Sequence, residues 1–138
     1  MSIGKHEKLE DIVGDLIANG RSFTSCVVTN ERGLVVAAKS SDGSSNQTLA
    51  AMVSLLSDAA VRVSGNLGYG HPKTASVRGF GVTVSLHEFK VRDRWFRIGG
   101  VLEGDTILKR GLFGRWKHVG AETELVAIAK QIRSILEE

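Results

Sequence analysis

Between positions 49 and 63 the chain encodes a helix with two apolar sides, and a helix of that kind has to be covered twice. Advancing about 100 degrees per residue from Leu49, the side chains of Leu49, Met52, Val53, Leu56, Ala59, Ala60 and Val63 form a stripe wide enough to lie on a sheet. The opposite side carries Ala50, Ala51, Leu55 and Val61, which leaves only Ser54, Ser57, Asp58 and Arg62 to face water. In 138 residues, once a sheet has covered one side, few elements remain to cover the other. A second copy of the chain would do so, and the pattern therefore predicts a homodimer.

The segments around this helix have simple signatures. Leu9, Ile12, Val13, Leu16 and Ile17 recur at helical spacing among Glu7, Lys8, Glu10, Asp11 and Asp15, predicting an amphipathic helix over about residues 4 to 18, with Gly20 placed to end it. Phe23 to Thr29 and Gly33 to Lys39 read as strands joined by Asn30-Glu31-Arg32-Gly33, a hairpin turn that closes on a glycine with positive φ. The polar run 40–46 then ends in a Ser or Asn able to cap the apolar helix. Beyond Gly65 the chain turns through Gly68-Tyr69-Gly70-His71-Pro72 and becomes strand-rich. Val82, Val84 and Leu86 alternate with polar residues before the apolar phase shifts to Phe89 and Val91, which predicts a bulge near His87 and Glu88. Trp95 to Leu102 and Thr106 to Arg110 complete a predicted three-stranded meander, and Leu125, Ile128, Ala129, Ile132, Ile135 and Leu136 mark a last amphipathic helix.

Bulk composition limits the function classes. A 42% hydrophobic fraction fits one domain, residues 1–138, with a core of its own, and no repeat or linker divides it. One cysteine excludes a disulfide framework and fits a reducing, cytoplasmic setting; the longest apolar runs, near five residues, predict no membrane span. A net charge of +3 with a pI near 9.2 is compatible with an acidic partner and decides nothing alone.

No catalytic, cofactor or metal signature emerges. Cys26 lies in the first strand beside Val27 and Val28, the setting of an inert thiol. His6, His71, His87 and His118 have no paired ligand spacing and read as surface or turn histidines. Gly79-Phe80-Gly81 does not continue into a dinucleotide fingerprint, because position 84 is Val, and the run 111–117 lacks the Lys-Ser/Thr ending of a phosphate loop. The expectation is a protein that is not an enzyme and uses no cofactor.

The element order, the second strand Gly33-Leu34-Val35-Val36-Ala37 and the opening Leu49-Ala50-Ala51-Met52 of the middle helix together resemble the roadblock (dynein light chain) domain, over roughly residues 5 to 136. The resemblance implies an α+β fold: a five-stranded antiparallel sheet with the middle helix on one face and the two terminal helices on the other. It also implies dimers that join sheet edges and pack their middle helices together, and a role as scaffold or regulator of a Ras-like small GTPase. The implied dimer and partner interface is centred on Ala51, Ser54, Leu55, Asp58 and Arg62, with Asp58 and Arg62 paired within the helix or across the dyad.

The sequence departs from the compact pattern after residue 108. Lys109, Arg110, Arg115, Trp116 and Lys117, with Phe113 and His118, interleave basic and aromatic groups, which suits nucleic acid or an acidic surface. Arg92, Arg94 and Arg97 would extend that alternative basic site. Nucleic acid is nonetheless the less favoured partner, because aromatics mostly bury themselves while basic side chains stay solvated. A small-molecule sensor with a ligand between sheet and helix ranks third.

Overall fold

The computed structural model describes residues 3–19, 23–41, 45–103, 106–110 and 116–138, with side chains at all of these except 3, 16, 18, 19 and 103–122. Along the chain the elements are α1 (Ile3–Asn19), β1 (Phe23–Asn30), β2 (Val35–Ser40), α2 (Asn46–Asn66), β3 (Thr74–Arg78), β4 (Val82–Val91), β5 (Arg94–Glu103), β6 (Thr106–Arg110), β7 (Trp116–Gly120) and α3 (Ala121–Leu136). Gly20 lies outside the described residues. Gly33 closes the β1–β2 turn at φ 82, and the Ser45 hydroxyl caps α2 by accepting from the Thr48 amide at 3.2 Å.

Five strands form an antiparallel sheet in the order β2-β1-β5-β4-β3. α2 covers one face and α1 with α3 the other, so the sheet has a core on each side. Alternation along β1, an inner strand, feeds both: Cys26 and Val28 join Leu9, Val13, Ile98, Leu125 and Ile132 beneath the terminal helices, while Val27 joins Leu49, Val53 and Leu86 beneath α2. A strand covered on both faces can be apolar at consecutive positions, which explains the Cys26-Val27-Val28 run. The closest approach of α2 to the sheet requires a glycine, because a Cβ at Gly99 would run into the Val53 side chain.

Two sequence expectations change. The fifth strand of the main sheet is Thr74–Arg78, whereas Thr106–Arg110 pairs with Trp116–Gly120 in a separate hairpin. The segment 74–78 has weak apolar alternation because it is an edge strand whose last three residues are exposed, so little hydrophobic area had to be written into it. There is also no bulge at His87 and Glu88: the β4–β5 register runs without a shift from Val82↔Glu103 to Val91↔Arg94. The apolar phase changes because a buried glutamate, Glu88, takes the α2-side position after Leu86, while Phe89 and Val91 serve the other core. The register shifts that do occur are in β1, between Phe23 and Ser25 and between Val28 and Thr29.

Candidate interaction surface

α2 is a helix of 21 residues that buries one stripe, Leu49, Ala50, Val53 and Ser57, with Leu56 and Ala60 half-buried beside it. This stripe is rotated from the one its hydropathy suggests. Met52, Ala59 and Val63 point outward, whereas Ala50 and Ser57, expected on the outer side, are buried. The outer face is consequently more apolar than the sequence pattern implied, with Met52 50%, Leu55 70%, Val61 40% and Val63 59% exposed. By length and composition alone α2 would pass for a membrane span, because the apolar residues of this outer face add to those that pack on the sheet.

Ala51, Leu55, Asp58 and Arg62 follow one another at steps of four, three and four along this exposed face. Ser54 is half-buried beside them and its hydroxyl occupies the space where a Cβ on Gly33 would sit, tying the middle of α2 to the β1–β2 turn. No ion pair joins Asp58 to Arg62 within the helix. On the same side of the sheet Val77 and Val82 are 57% and 41% exposed, so the apolar surface runs from the helix toward the β3 edge.

The two sheet edges differ. At β2, α1 lies alongside and Glu10 Oε1 accepts from the Ala38 amide at 3.4 Å, which occupies an edge donor. At β3 no described element pairs with the outer side of the strand. An uncovered edge of this kind is a template for another strand.

Under α2 the sheet holds a charged cluster that the sequence did not announce. Glu88, with a fully buried side chain, accepts at Oε1 from Ser57 Oγ at 3.0 Å and from Arg97 Nε at 3.0 Å. Its Oε2 has no aligned hydrogen-bond donor, and His71 Nε2 stands 3.1 Å away. The His71 ring stacks on Trp95 at 3.7 Å, and Lys90 Nζ lies 5.2 Å from the Trp95 ring centre. These contacts, with the Glu88 amide donating to the Lys73 carbonyl at 2.7 Å, fasten the α2–β3 connection to the sheet. His71 is thus a turn histidine with a structural partner. The only sequence signal for the cluster was an acidic residue at the position where the Val82-Val84-Leu86 alternation calls for an apolar one, with an arginine at its cross-strand position.

Two of the arginines that would extend the alternative basic site are engaged within the fold. Arg97 is committed to Glu88, and Arg92 donates to the Glu137 carbonyl at 3.1 Å. Lys109, Arg110, Trp116 and Lys117 lie on the β6–β7 hairpin, whose register places Lys109 opposite Lys117. Their side chains, and Arg115 and Phe113 entirely, lie outside the described residues. Cys26 is completely buried, and burial pushes its thiol up from 9.0 to about 12, so at neutral pH it is a protonated, inert group.

At the level of sequence no protein-family model matches the chain, and no curated protein does. The folded shape does find counterparts. A Roadblock/LC7 domain from Streptomyces avermitilis superimposes with a TM-score of 0.69 at 16% identity, covering 94% of this chain and 98% of that one. This chain has the roadblock fold. The gliding protein MglB from Thermus thermophilus gives 0.68 at 12% identity, over 99% of this chain and 91% of that one. MglB from Myxococcus xanthus gives 0.65 at 10% identity, over 99% and 90%. Among the described residues, the outer face of α2 and the outer edge of β3 are left without a covering element.

Proposed function

We propose that this roadblock domain is a non-enzymatic homodimer that binds a Ras-like small GTPase, as a regulator or as a scaffold. The observation that carries the reading is the outer face of α2, where Met52, Leu55, Val61 and Val63 stand exposed on a helix whose inner side is already packed. The dimer closes across a two-fold axis by setting α2 against its copy and β3 against its copy, which covers the apolar band and the open strand edge together. A similar structure described as MglB in a tetrameric arrangement supports self-assembly of chains with this shape. In an antiparallel helix pair Asp58 of one copy and Arg62 of the other provide opposite charges across the dyad. The GTPase then docks on the composite surface around Ala51, Ser54, Leu55, Asp58 and Arg62.

The test combines light scattering with binding. At micromolar concentration the protein should run at twice 14.9 kDa, and a Ras-like GTPase should bind the dimer with an affinity that depends on whether GDP or a GTP analogue is bound. A mass of one chain, or no GTPase binding in either nucleotide state, would end the proposal.

A further inference from the structure

We infer that the end of the sheet bearing the β1–β2 turn holds a binding site for a carboxylate carried on an apolar stem. A cavity of about 420 Å³ opens between the β1–β2 turn, the start of β5 and the end of α3. Its size falls within the range of about 300–1,000 Å³ usual for small-ligand pockets. Val36, Phe96 and Leu136, each half-buried at the margin of the terminal-helix core, give it an apolar floor. Arg32 and Arg94, both exposed, line its solvent-facing part.

Those two arginines carry the argument. The side chains of Arg92, Arg97 and Arg133 each hold a hydrogen-bonded partner in the fold, but those of Arg32 and Arg94 have none among the described residues. The β1–β5 register, which ends at Asn30↔Phe96, leads both of them to the same end of the sheet. Bringing two like charges together costs free energy that an anion between them returns. Glu31 also reaches the mouth, and two arginines against one glutamate leave it positive. Apolar floor and cationic mouth together fit a ligand with one carboxylate at the end of a hydrocarbon or aromatic stem. Two sources have that chemistry: a free organic acid, and the C-terminal residue of a peptide chain.

The experiment follows amide shifts of the full-length labelled protein on titration with phenylbutyrate, with phenylbutyramide, and with a short peptide ending in phenylalanine, its C terminus free or amidated. We expect saturable shifts at Val36, Arg94 and Phe96 with at least one of the acids, and binding about tenfold weaker for the matching amide, the loss that follows from removing one charge-assisted contact. Arg32→Gln with Arg94→Gln should weaken acid binding by at least as much, and both positions are exposed, so the fold should be retained. The acid that binds tighter identifies the source. No saturable shift with either acid, equal binding of acid and amide, or binding indifferent to the double substitution would overturn the inference. The acid-against-amide comparison uses the unsubstituted protein and stands even if the variant misfolds.

Discussion

Ser57 on α2 donates a 3.0 Å hydrogen bond to Glu88 on β4, and this contact is the reason a serine sits in the sheet-facing stripe of an apolar helix. The same oxygen receives Arg97, so helix and two neighbouring strands converge on one buried carboxylate. Removing one member of the ion pair should cost more than removing both. Arg97→Met leaves a buried negative charge and is expected to destabilise by about 3–5 kcal/mol, whereas Arg97→Met together with Glu88→Met should fall within about 1 kcal/mol of the parent protein. Urea denaturation of the three proteins checks the order, and a double variant less stable than Arg97→Met would refute it.

The packing of α2 on β5 yields a second expectation. Gly99→Ala drives a methyl group into Val53 and should cost about 1–3 kcal/mol, as overpacking does. Val53→Ala in the same chain should recover part of that loss. A double-mutant cycle with no coupling between positions 53 and 99 would mean that the helix moves away freely.

Cys26 gives a pH dependence with a definite sign. Its folded pKa is raised, so the native state holds the thiol proton that the unfolded chain releases above pH 9.0, and the stability this provides is complete below pH 9.0 and is lost as pH climbs toward about 12. Within that window the slope is about 1.4 kcal/mol per pH unit for one group. Cys26→Ala should therefore lose less stability than the parent between pH 9.0 and pH 11, measured by denaturant titration at each pH. Curves that stay parallel would show that the thiol does not contribute.

Leu55 is 70% exposed in the single chain, so Leu55→Arg should leave the urea midpoint of the monomer nearly unchanged. In the proposed dimer it places a charge in a dry helix pair and should cost several kcal/mol of association, on the order of the penalty for a buried unpaired charge. Sedimentation or light scattering separates the two effects. An unaltered mass would relocate the dimer contact away from α2.

The helix surface and the basic hairpin can be ranked against each other. Ser54 and Asp58 substitutions should weaken GTPase binding strongly, while Arg115→Glu with Lys117→Glu should change mainly the on-rate and the salt dependence. The reverse order, with a steep salt slope for a generic oligonucleotide lost in the charge-reversed variant, would favour the nucleic-acid reading.

Local pattern was sufficient for the elements whose apolar residues repeat with a clear period. α1, β1, β2, β4, β5 and α3 were all legible, as were the Gly33 turn and a Ser or Asn cap for α2, because each depends on residues near in sequence. The two apolar sides of α2 were legible too. Which residues face inward was not, because Leu49, Met52 and Val53 are equally apolar and only the position of Gly99 and Glu88 on the sheet fixes the rotation of the helix. The open edge strand β3 escaped notice since an exposed strand writes little hydrophobicity, and Thr106–Arg110 looked like a sheet strand since nothing local distinguishes pairing with β5 from pairing with β7. Glu88 meets Ser57 and Arg97 across separations of 31 and 9 residues, and Arg32 and Arg94 line one cavity from different hairpins. Residue types and periods belong to the chain, but register, helix rotation and the convergence of distant charges are set by long-range packing, in which each contact depends on all the others being formed.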